Sequence, residues 1–200
     1  LSESEAIMQK SNLLPSEVQQ VVSNIKGVKT ISPDDQTAAL LLNDLKLRLT
    51  GEFERLITAN QFETASKQLA LLGFVNSATE SDALQQQLRK ERDRYQQAQK
   101  QQQLSSTIDR LIASAEAHFE RDNLAGLAAG RKDVEALLKL NSDHPEGLRL
   151  RSFYGDKVVE KYEQAMREDR LDDAGLWVEQ LTRSLGYQEL ASSLRENLNH

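Results

Sequence analysis

Three kinds of side chain in this sequence are of a type that does chemistry: three histidines, a cluster of aspartates, and a basic run with a tyrosine inside it. The histidines are His118, His144 and His200. A neutral imidazole is a metal ligand or proton relay, but a metal site needs three or four ligands that converge. No two of these histidines are paired by local spacing. His118 has one carboxylate on its own helix face, Asp122, four residues on. That single pair is too few, so surface or capping roles are expected. Asp169, Asp172 and Asp173 superficially look like an aspartate-rich Mg²⁺ motif, yet they straddle a turn, where acids cap the next helix. Glu52 and Glu54 are two apart on a helix and point in different directions, so they are not an acid/base pair. No glycine-rich phosphate loop and no Gly-x-Ser-x-Gly elbow is present. With no cysteine, thiolate nucleophiles, thiolate metal sites and disulfides are excluded. No catalytic, cofactor-binding or metal-ligating residue can be named, and no cofactor is expected.

The basic run is Arg149, Arg151, Lys157 and Lys161, with Tyr154 among them. Spacings of 2, 6 and 4 let these residues partly line one face of a long helix. One reading is a solvated, salt-bridged face. The sharper reading is a patch that binds an anionic group or terminal carboxylate of a protein or peptide partner. Trp177, the only tryptophan, is expected in core or inter-repeat packing, with an exposed interface anchor as the other reading.

The elements that position these residues read as helices throughout. Residues 1–30 form an N-terminal helical segment, with a short helix from Pro15 to about Ile25 stopped at Gly27. Pro15 suits a first helical position, where its missing N–H costs nothing. Ser32 as cap, Pro33 in the first turn, and Asp34 and Asp35 against the helix dipole start the next helix, which runs to Ala59. Asn60-Gln61 makes a tight turn, and Phe62 to Leu72 returns to close a first hairpin within 31–80. Ser77 followed by Glu80 is a capping box for a third helix. In its middle, nine of the nineteen residues from Gln85 to Gln103 are glutamine, so 81–107 is expected as a solvated bridging helix, with a break near Gln101 to Ser106 as the other option. Residues 108–200 hold further hairpins: a helix ending near Asp122, Leu124 to Leu140, a start at Asp143-His144-Pro145-Glu146 running through Met166, Leu171 to Leu185, and a closing helix from Tyr187 to Leu198.

One phrase recurs. Phe53, Phe62, Ala65, Leu69 and Leu72 repeat as Tyr162, Leu171, Ala174, Val178 and Leu181, with a degenerate copy at Ala115, Leu124, Leu127 and Val134. The turn and second helix of these copies (Asn60 and Asp169 leading into Phe62 and Leu171, with Ala65 and Ala174 three later) resemble the tetratricopeptide family over about residues 45–185. The copy at Asp122, Leu124 and Leu127 has Leu in place of Ala and is broken by Arg131. Phe62 to Leu124 is 62 residues and Leu124 to Leu171 is 47, against a family period of about 34, so long connecting helices are expected. The resemblance implies a right-handed stack of helical hairpins, an α-solenoid, binding a peptide or partner protein in a concave groove.

Composition fits that reading. Aromatics at 5% argue against a β-sandwich or barrel, and a net charge of −6 argues against a nucleic-acid partner, which needs a basic stripe. The longest apolar run, Ala38 to Leu42, is too short for membrane insertion within this segment. A start at Leu1 reads as a processed or cut piece. Zero cysteine fits a periplasm or any cytosol, the periplasm slightly favoured. The sequence therefore reads as an all-α, non-catalytic interaction or scaffolding module, a segment of a larger bacterial protein whose envelope association is open. The alternative is a small-ligand sensor or enzyme domain built on a helical solenoid.

Overall fold

The structure is a computed structural model and describes residues 1–10, 13–184 and 186–198. Among them are nine helices and no strand: α1 Ser2–Met8, α2 Pro15–Ile31, α3 Gln36–Thr58, α4 Phe62–Leu72, α5 Ala78–Phe119, α6 Leu124–Leu140, α7 Pro145–Arg167, α8 Leu171–Thr182 and α9 Gln188–Leu198. The chain divides into two compact units, residues 1–100 and 101–200, and the division falls inside α5.

In the first unit α1 packs on α2, α2 on α3 and α3 on α4. Val18, Val21, Val22 and Ile25 recur at spacings of 3, 1 and 3, which is one helix face, and they share a core with Leu45, Leu49, Phe53, Ala65 and Leu72. In the second unit α6 packs on α7, α7 on α8 and α8 on α9 around Leu127, Val134, Tyr154, Val158, Ala174, Val178 and Leu181.

Three connections share a device. Asn60, Asp122 and Asp169 sit at φ of 58°, 45° and 55°, each two residues before the next helix begins. Short Asx side chains tolerate this left-handed conformation better than other non-glycine residues. At two of the turns the N–H after the left-handed residue reaches back to satisfy an orphan carbonyl: Gln61 to Leu56 at 2.9 Å and Arg170 to Ala165 at 2.8 Å.

Several local expectations need correction. Gly27 does not stop α2, which continues to Ile31. An isolated glycine costs a helix only about 1 kcal/mol, less than its flanking hydrogen bonds supply. Ser32 is not the cap of α3, because its N–H already ends α2 on the Val28 carbonyl. The cap is Asp35, whose Oδ1 accepts from the Ala38 N–H at 2.8 Å. No break occurs at Gln101 to Ser106, since α5 is one continuous helix through the glutamine-rich stretch. The copies of the recurrent phrase also differ in burial. Phe62 is 9% exposed, but its counterpart Leu171 is 50% exposed.

Candidate binding cleft

The basic run does not form one patch. Arg149 is held by Glu146 and by Glu116, the latter at 2.8 Å, beside Phe119 and Phe153. Lys157 pairs with Glu160 at 2.9 Å. Lys161 pairs with Asp122 at 2.6 Å, in a hollow walled by Trp177. Tyr154, expected on the surface, is 1% exposed. Its ring stacks on Phe119 at 6.2 Å and meets the edge of Tyr187 at 6.4 Å, so a large apolar body takes the inward angle of α7. Arg151 alone combines exposure with the absence of an ion-pair or hydrogen-bond partner for its side chain among the described residues.

Arg151 and Tyr154 nevertheless lie together, in a cleft of about 180 Å³ between α6, α7 and the segment joining α8 to α9. The α6 wall is Arg131, Val134, Glu135 and Leu138, spacings of 3, 1 and 3 that place all four on one helix face. Tyr154 and Ser184 form the base, while Tyr187 and Lys139 complete the sides. The Tyr154 hydroxyl donates to the Gln180 carbonyl at 3.1 Å, and the Ser184 hydroxyl has both Tyr154 Oη, at 3.1 Å, and the Gln180 carbonyl, at 2.8 Å, within reach. Burial raises the pKa of Tyr154, and burial likewise raises that of Tyr187 against the opposing pull of Arg151. Both phenols therefore stay protonated donors at neutral pH.

Arg131 is the part-buried cation of the cleft. It occupies the position held by Leu69 in the first copy of the recurrent phrase and by Val178, 1% exposed, in the second. A guanidinium at such an inward position needs partners. Its Nη1 donates to Glu135 at 2.7 Å and to the Arg183 carbonyl at 3.0 Å, but its buried Nε has no acceptor. Lys139, like Arg151, has no charged partner among the described residues. Among the described residues, the lining thus includes three cationic side chains and one carboxylate, Glu135, beside apolar and aromatic groups.

The other candidates resolve into structural roles. His118 Nδ1 meets Asp133 at 3.0 Å, and Ser114 donates to the same oxygen at 2.7 Å. Asp122 is out of its reach because α5 ends at Phe119 and the chain turns left-handed at Asp122. His144 caps α7 by accepting from the Gly147 N–H. Asp173 pairs with Arg170, and no side chain caps α8, so the expected aspartate cap is absent. Trp177 packs against the second unit's core. His200 lies outside the described residues, and among those described no group of three His, Asp or Glu side chains is placed to hold a metal.

Arg131, Glu135, Lys139 and Tyr187 were not picked out as site residues from sequence. The one available signal was Arg131 itself, a cation where the recurrent phrase takes an apolar residue. Comparison with protein-family models, curated proteins and solved structures finds no match.

Proposed function

We propose that this chain is a non-catalytic protein-interaction module whose units are stacks of tetratricopeptide-like helical hairpins, and that it binds an acidic segment of a partner at the α6–α7 cleft. The recurrent left-handed Asx turns and the fully buried Ala65 and Ala174 support the hairpin reading. The observation that carries the binding reading is the cationic rim. Among the described residues Arg151 and Lys139 have no ion-pair partner beside the half-satisfied Arg131, whereas Arg149, Lys157 and Lys161 are each neutralised by a neighbouring acid. Unpaired charges beside an apolar hollow have complementarity left to offer a partner.

A displayed library of random peptides, selected on the immobilised protein, tests this. Enriched peptides should carry Asp, Glu or a free C-terminal carboxylate, and the double reversal Lys139→Glu with Arg151→Glu should abolish their binding with the melting temperature nearly unchanged. Peptides with neither an acidic side chain nor a free C-terminal carboxylate, or equal binding to the reversed protein, would overturn it.

A further inference from the structure

The size and lining of the cleft restrict what can enter it more narrowly than charge does. An α-helix with its side chains is roughly 10 Å across and needs a long groove, so a hollow of about 180 Å³ admits only a compact body. Val134, Leu138 and the rings of Tyr154 and Tyr187 suit a hydrocarbon or aromatic group. The hydroxyls of Tyr154, Ser184 and Tyr187 are already committed to protein partners: Tyr154 to the Gln180 carbonyl, Ser184 to the same carbonyl, and Tyr187 to the Arg151 carbonyl at 2.8 Å. Among the described residues, the charged lining groups without a partner are cationic: the exposed Arg151 and Lys139, and the buried Nε of Arg131. Arg151 and Lys139 are exposed at the mouth of an apolar hollow, where an anion can meet them directly, and charge-assisted hydrogen bonds to a guanidinium are among the strong ones.

We infer that the cleft takes a compact apolar monoanion: one hydrocarbon or aromatic group with an adjacent carboxylate. The carboxylate meets Arg131 and Arg151, with Lys139 adding charge at the rim, and the apolar body lies against Val134, Leu138 and Tyr187. This rests on the reading that the cleft is the binding site, and it names the ligand chemistry. The same chemistry comes from two sources, a free small acid or the last residue of a peptide.

Calorimetric titration of the whole chain with 3-phenylpropionate, 3-phenylpropanamide and inorganic phosphate tests it. The acid should bind at least about tenfold more tightly than the amide, which lacks charge, and than phosphate, which lacks the apolar body. Arg151→Gln should weaken the acid about tenfold with no change in melting temperature. Arg131→Leu, which restores the apolar residue of the other copies, should do the same. Because that variant also alters an ion pair, Arg151→Gln decides if it fails to fold. A short peptide ending in Phe separates the sources. Tighter binding than phenylpropionate, lost on C-terminal amidation, assigns a peptide terminus, and binding of the small acid alone assigns a free ligand. Equal binding of acid and amide, or of parent and Arg151→Gln, overturns the inference. If phenylpropionate fails while acidic displayed peptides bind, only the ligand class is wrong. If it binds while no displayed peptide does, the partner reading fails and the ligand class stands.

Discussion

The ring of Tyr187 lies in the space that a Cβ on Gly155 would need, and the Tyr187 hydroxyl donates to the Arg151 carbonyl one helical turn earlier, at 2.8 Å. Glycine at 155 thus lets the α8–α9 connection close over α7 and form one side of the cleft. Gly155→Ala should push the ring outward and break that hydrogen bond, at a cost of roughly 1–3 kcal/mol. Chemical denaturation measures the loss, and a Tyr187 ring environment unchanged by NMR would show that this contact does not hold the segment.

Ala65 and Ala174 are both fully buried on the second helices of their hairpins, where α4 meets α3 and α8 meets α7. Leucine at either position adds volume that close-packed neighbours cannot yield. Each substitution should lower stability by roughly 1–3 kcal/mol. Denaturant midpoints equal to those of the parent would show that these faces are looser than drawn.

Glu80 carries a pH prediction. Lys46, first, and then the Ser77 backbone N–H and hydroxyl hold its carboxylate, keeping its pKa at about 2 against an ordinary 4.5. The folded state therefore binds this proton more weakly than the unfolded chain does. The resulting stability is complete above pH 4.5 and is lost as pH falls from there toward 2. Thermal melts of the parent and of Glu80→Gln should differ by a constant amount near neutrality and converge in that acid window. A gap that persists unchanged at the acid end would contradict the assigned interactions.

How far these features were legible from sequence depends on whether they are local. The α6 bounds, the start of α7, the Asn60-Gln61 turn and the Ser77–Glu80 box follow from residues within one or two turns of each other, and the spacing carried them. Indeed, Ser77 N–H donates to Glu80 at 2.9 Å and Glu80 N–H to the Ser77 hydroxyl at 3.3 Å. Gly27 and Ser32 do not mark boundaries of the kind their residue types suggest, because α2 runs on through Gly27 to Ile31 and the Ser32 N–H is committed to the Val28 carbonyl. The cleft was not legible, because Arg131, Arg151 and Tyr187 come together only through the packing of α6 on α7 and the return of the chain after α8. The ion pairs of the basic run are partly long-range. The acids that neutralise Lys161 and one side of Arg149, Asp122 and Glu116, lie 39 and 33 residues away.

Reversing Lys157 and Lys161 consequently has a different expected outcome from reversing Lys139 and Arg151. Lys161→Glu breaks its ion pair with Asp122, an exposed interaction contributing about 0–1 kcal/mol, and leaves the cleft intact. A small drop in melting temperature with unchanged binding of acidic displayed peptides is predicted. Loss of binding in this pair of variants would return the site to the outer face of α7.

The most direct measurement is a map of amide chemical-shift changes as 3-phenylpropionate, or an acidic peptide from the displayed library, is titrated into the labelled protein. The largest changes should fall on residues 131–142, on 151–155 and on Tyr187, and should vanish in Arg151→Gln. Changes concentrated instead around Lys161 and Trp177, or in the first unit, would contradict binding at the cleft.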